Sequence, residues 1–109
     1  MDHRIKTAME LMEANLQRKM SMEELARAVN LSPWRLSHLF KNEIGIPPLR
    51  YLKALRMEKA RVLVASTFLS IKQIMNTVGM RDESHFTKDF RRAYGLTPTQ
   101  YRIRFFSGG

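Results

Sequence analysis

The 109-residue sequence contains no cysteine, which excludes disulfide staples and thiolate metal sites and argues against a small secreted scaffold. It has no apolar run long enough for a membrane-spanning helix, and its opening Met-Asp-His-Arg lacks the apolar stretch of a signal peptide. A soluble, cytoplasmic setting without membrane partners is expected. The histidines, His3, His38 and His85, include no pair spaced four apart, and no paired-carboxylate motif accompanies them. Neither a metal site, a cofactor nor catalysis is therefore expected, and the chain reads as a non-enzyme. No segment alternates polar and apolar residues as a half-buried strand would, so an all-α fold follows.

Acidic residues are also few. Ten Asp and Glu face 19 Lys and Arg, a formal charge of +9, and so large an excess on a small chain points to a polyanionic partner, nucleic acid first. The excess is uneven: residues 46–66 alone carry +4, from Arg50, Lys53, Arg56, Lys59 and Arg61 against one acid. A basic run by itself is better explained by a solvated helix face, so it needs support from elsewhere. With 44% hydrophobic residues, there is room for one core or for two small lobes.

That support comes from an internal repeat. At an offset of 49, Ser21, Met22, Leu25 and Val29 match Ser70, Ile71, Ile74 and Val78. At an offset of 50, Leu36, Phe40, Lys41, Gly45, Pro48 and Tyr51 match Phe86, Phe90, Arg91, Gly95, Pro98 and Tyr101. The one-residue slip falls where apolar periodicity lapses, so each copy reads as element, turn, element, with one extra residue in the second turn.

Helix signals mark the elements. Ser21 with Glu24, Ser70 with Gln73 and Thr97 with Gln100 are spaced as capping boxes, and Met20–Leu25 and Leu69–Ile74 are placed as hydrophobic staples. Ser32 and Asp82 are expected to cap the second element of each copy, with Pro33 at its first helical position in copy one. Gly45 and Gly95 stand where a C-terminal cap requires positive φ. The expected helices are 3–18, 22–29, 33–43, 48–65, 71–78, 83–93 and 98–105. They form seven helices in two lobes, 1–46 and 67–109, joined by a linker helix over 47–66. The helix 48–65 within it, about 27 Å long at 1.5 Å per residue, separates the copies by a distance comparable to one DNA turn of about 34 Å.

A short helix, tight turn and second short helix make a helix-turn-helix unit, whose second helix enters the major groove. Assigning Leu36, Leu39, Phe40 and Ile44 inward leaves Trp34, Arg35, Ser37, His38 and Lys41 outward. Assigning Phe86, Phe90 and Ala93 inward leaves Glu83, Ser84, Thr87, Lys88 and Arg91, with His85 lateral. Polar and stacking groups at the helix start followed by cations is the order expected for base and then phosphate contacts.

With these residues placed, the sequence resembles the DNA-binding domain of the AraC/XylS family of bacterial transcription regulators, from about Ile5 to Arg102. Gly79, Ser84, Phe86, Phe90, Arg91, Gly95, Thr97, Pro98, Tyr101 and Arg102 stand at the spacing of the family signature. The resemblance implies two helix-turn-helix (homeodomain-like) lobes facing successive major grooves. It carries base reading onto Trp34, Ser37, His38, Glu83, Ser84 and Lys88. Lys88 can donate to guanine, Glu83 can accept from cytosine, and Trp34 can lie against a thymine methyl or a sugar. Arg35, Lys41, Arg50, Thr87, Arg91 and Arg92 are expected to meet phosphates. His38 is open between base and phosphate contact, because imidazole reaches less far than the amide or guanidinium usual there. Met80 and His85 stand where the family commonly has aromatics, which bears on packing in the second lobe.

Competing explanations accompany several of these residues. A lone tryptophan such as Trp34 is more often a partly buried core residue, although its place directly after Ser32-Pro33 favours exposure near a helix start. The eight methionines read as core filler, and Glu83 reads equally as a favourable charge at a helix N-terminus. The function implied is sequence-specific double-stranded DNA binding by a transcription regulator, an activator that contacts RNA polymerase, monomeric as this chain and dimeric through a further domain. The alternatives are a tandem homeodomain-like or Myb-like module, against which the single Trp and long linker argue, and a helical protein-interaction adaptor with a basic face. Two readings of its extent are open: a complete small regulator, or the C-terminal domain of a larger one.

Overall fold

The computed structural model describes residues 1–108, and among them every regular element is an α-helix. The helices are α1 (His3–Ala14), α2 (Met22–Ala28), α3 (Pro33–Ile44), α4 (Pro48–Ser66), α5 (Ile71–Val78), α6 (Glu83–Tyr94) and α7 (Pro98–Phe105). The chain divides into two compact units, the first Met1–Leu55 and the second from Arg56 onward, with the division inside α4.

In the first unit α1, α2 and α3 close on a core that includes Ile5, Met12, Leu25, Leu36 and Phe40, with Leu52 supplied by α4. In the second, Ile74 and Val78 of α5 and Phe86 and Phe90 of α6 pack with Met57, Ala60 and Val64 of α4. No polar or charged residue is buried in either core among the described residues. Burial of apolar stripes is what holds helices this short, since each is marginal alone.

The repeat in the sequence is a repeat in space. Residues 32–50 and 82–100 share one sequence of buried, half-buried and exposed positions, residue for residue. Phe40 meets Tyr51 edge-on at 5.4 Å between centroids, and the matched Phe90 meets Tyr101 at 5.5 Å. Both turns also take one form. Leu31 N–H donates to Ala26 O at 2.9 Å and Met80 N–H to Met75 O at 2.8 Å, a closure that requires left-handed backbone just before it. Asn30 supplies this at φ 58° and Gly79 at φ 80°. Because Leu31 pairs with Met80 while the caps Ser32 and Asp82 also pair, the extra residue of the second copy is Arg81.

Most expected helix ends hold to within a residue or two, and the deviations have local causes. The first helix stops at Ala14 and not at residue 18. There the Asn15 side chain donates to Leu11 O at 2.7 Å and its N–H turns to Met12 O, so the side chain takes the acceptor that would have continued the helix. Ser21 caps α2 through Glu24 N–H at 3.1 Å, but the Glu24 carboxylate turns away to Arg18 at 2.6 Å, so only half of that capping box forms. The boxes at Ser70–Gln73 and Thr97–Gln100 are complete. Ala93 is exposed rather than inward: Tyr94 closes the stripe of α6, as Ile44 does that of α3. Met80 packs against the second core in place of an aromatic, while His85 stays exposed.

Candidate nucleic-acid interface

Both second helices begin with a satisfied cap that fixes their start. Ser32 accepts from Arg35 N–H at 3.1 Å and Asp82 from His85 N–H at 3.0 Å; that bond holds the Asp82 carboxyl below its ordinary range. Gly45 and Gly95 end the helices in left-handed conformation, each N–H donating four residues back at 2.8 Å.

On α3, Trp34, Arg35, His38 and Lys41 are exposed and Ser37 is half-buried. Trp34 is 67% exposed, which decides against a core role. Its ring lies 3.9 Å from that of His38, at an interplanar angle of 31°. The His38 Nδ1 sits 2.9 Å from Trp34 O. A carbonyl only accepts, so Nδ1 carries the hydrogen there, and in the neutral ring Nε2 is left as an outward acceptor. The stack and the hydrogen bond preset both aromatic groups before any ligand arrives.

On α6, Glu83, Ser84, Lys88, Arg91 and Arg92 are exposed and Thr87 is half-buried. Glu83, Ser84, Thr87 and Lys88 together line one shallow depression. The α6 start thus offers an acceptor, two hydroxyls and a cation on one surface. Arg50 is exposed in the first turn of α4. Arg35, Lys41, Arg50, Arg91 and Arg92 form no ion pair among the described residues, so their charge is open to a polyanion.

The basic stretch over 46–66 does not act as one block. Arg61 is bound to Glu58 through both nitrogens of its fork side and donates to Tyr101 OH at 3.2 Å, while Tyr94 OH donates to Glu58 at 3.3 Å. This network lowers the Glu58 carboxyl and raises Arg61, while burial first and then Glu58 raise the Tyr94 hydroxyl. Arg61 therefore braces α4 against α6 and α7. Arg102 is likewise structural: its Nε donates to Val64 O at 2.9 Å near the C-terminal end of α4, where a cation also suits the helix dipole. Ser107 N–H completes that end by donating to Ala65 O at 2.9 Å.

A family model described as a helix-turn-helix domain matches residues 25–104. The chain belongs to the AraC-type family of helix-turn-helix DNA-binding domains. Its relatives include the arabinose operon regulatory protein of Escherichia coli, 31% identical over 103 residues that are 94% of this chain and 35% of that protein. Among solved structures, the C-terminal domain of the response regulator AraT from Geobacillus stearothermophilus superposes with a TM-score of 0.90 at 31% identity, covering 98% of this chain and 89% of that one. An AraC-type regulator from Chromobacterium violaceum gives 0.88 at 33%, covering 97% and 95%. The AraC-type chain spans 25–37% of the length of curated relatives that it matches. No helix among the described residues is long and apolar enough to cross a membrane, and no group of three or more His, Cys, Asp or Glu is placed to hold a metal.

Proposed function

We propose that this AraC-type domain reads double-stranded DNA sequence-specifically as part of a bacterial transcription regulator, working in the cytoplasm, by non-enzymatic means and without a cofactor. Residues 1–46 and 67–109 act as reading lobes, and 47–66 as the linker helix. Helices α3 and α6 enter two major-groove segments about one helical turn apart. One observation carries this reading: the two copies present the same exposed positions at the starts of α3 and α6, filled with different hydrogen-bonding groups. A structural repeat with diversified outward residues suits two reading heads that face different bases.

Base contacts fall to Trp34, Ser37, His38, Glu83, Ser84 and Lys88. The outward Nε2 of His38 suits an amino donor of adenine or cytosine, and Lys88 suits guanine O6 or N7. Phosphate contacts fall to Arg35, Lys41, Arg50, Thr87, Arg91 and Arg92 and supply salt-dependent affinity. RNA polymerase is the protein partner, the domain binds as a monomer, and any dimerisation belongs to a further domain.

The test is a binding selection from a random duplex library at about 150 mM salt, where nonspecific affinity is weak. Two enriched blocks centred about one turn apart are expected. Substituting both His38 and Lys88 by alanine should abolish that enrichment while the helical circular dichroism stays unchanged. Folded protein that enriches nothing would favour the protein-adaptor alternative.

A further inference from the structure

The second unit carries an open depression of about 900 Å³, lined by Ser70 at the cap of α5, by Lys72, Gln73, Met75 and Asn76 of α5, and by Met80 and Arg81 ahead of α6. No carboxylate lines it. Lys72 and Arg81 are exposed and have no hydrogen-bond or ion-pair partner among the described residues. Gln73 Oε1 accepts from Ser70 N–H at 2.8 Å, and its Nε2 group keeps its donors.

We propose that this depression grips the phosphate backbone of the strand flanking the groove read by α6, with Lys72 and Arg81 as its charged contacts. The inference rests on the DNA-reading function above and adds a site to it. Charge complementarity points to this occupant: two unpaired cations and amide donors over a methionine floor suit phosphates and the apolar faces of sugars. So does position. The first helix of such a unit crosses the DNA backbone, and Arg81 immediately precedes Asp82, the cap of the reading helix.

The first unit lacks this grip. The residue matched to Lys72 is Glu23, and Arg81 is the inserted residue, with no counterpart at all. The second unit is therefore the stronger electrostatic anchor, and the first contributes proportionately more through its base contacts.

The experiment measures affinity for the selected duplex between about 50 and about 200 mM salt, for wild type, for the Lys72→Ala/Arg81→Ala pair and for Lys6→Ala as an exposed cation elsewhere. Two lost phosphate contacts, each contributing about 0.9 to the log–log salt slope, should flatten it by about 1.8 in the pair. The wild-type advantage over the pair should then shrink roughly tenfold across this salt range. Lys6→Ala should keep the wild-type slope, and reselection with the pair should return the wild-type blocks. A wild-type slope in the pair, or altered enriched blocks, overturns the proposal alone. Failure of wild type to bind any duplex overturns it together with the DNA-reading function.

Discussion

Trp34 and His38 form a stacked, hydrogen-bonded pair at the exposed start of α3, so their geometry is set before binding and little side-chain entropy remains to be lost there. Trp34 is the only tryptophan, which makes it a built-in reporter. Titration with the selected duplex should change its emission, and His38→Ala should alter the emission of the free protein by removing the ring beside it. An unchanged spectrum on saturation with duplex would remove Trp34 from the interface. Asp2 acts at the other end of its unit. It caps α1 by accepting Arg4 N–H at 2.8 Å, and its own N–H is held by Glu43 at the end of α3. The hydrogen bonds from the Arg4 side chain and backbone hold its carboxyl at about 2, below its ordinary 3.8. A carboxyl depressed on folding stabilises the fold above its unfolded value and ceases to do so as pH falls through the folded one. Wild type should therefore lose more melting temperature than Asp2→Asn between about pH 4 and about pH 2, since asparagine caps without titrating. Parallel melting curves against pH would show that the pairing contributes nothing.

At the scale of the element, the helix-turn-helix hinges on one left-handed residue, and the two copies meet the requirement differently. Asn30 is tolerated at φ 58° because a short polar side chain is the least unfavourable there after glycine, while Gly79 has no Cβ to object. Gly79→Ala should destabilise the second unit by about 1–2 kcal/mol, whereas Asn30→Gly should be neutral or slightly stabilising to the first. Chemical denaturation followed by circular dichroism measures both, and an alanine at 79 that costs nothing would show that the turn has another accessible form. Because the turn sets the angle between α5 and α6, Gly79→Ala is also expected to weaken duplex binding more than its stability cost alone explains.

At the scale of the whole molecule there are two cores and one helix that contributes to both: Leu52 to the first, and Met57, Ala60 and Val64 to the second. Phe86 is fully buried in the second core, and its replacement by alanine should cost about 3–5 kcal/mol. That loss should fall on the second unit. Amide hydrogen exchange is expected to show protection lost in α5, α6 and α7 and retained in α1, α2 and α3; uniform loss would show that the cores fold as one cooperative block.

The sequence by itself determined the all-helical class, the repeat, nearly every cap, and the outward faces of α3 and α6. Those properties follow from local chemistry: capping residues, proline and glycine positions, and apolar spacing are written within a turn or two of where they act. Only the tertiary structure decided which of several available partners, near or far in sequence, each polar or charged group takes. Glu24 completes no capping box because Arg18 competes for its carboxylate. Arg61 leaves the basic run for Glu58 and Tyr101, Arg102 serves the end of α4, and Trp34 stays outside the core while stacking on His38. The repeat also placed one extra residue somewhere in the second turn, but identifying it as Arg81 required the matched backbone hydrogen bonds of both turns. A charge or a polar group has several potential partners along a chain, and which of them it meets is settled by packing, whereas an apolar stripe has only one direction to face.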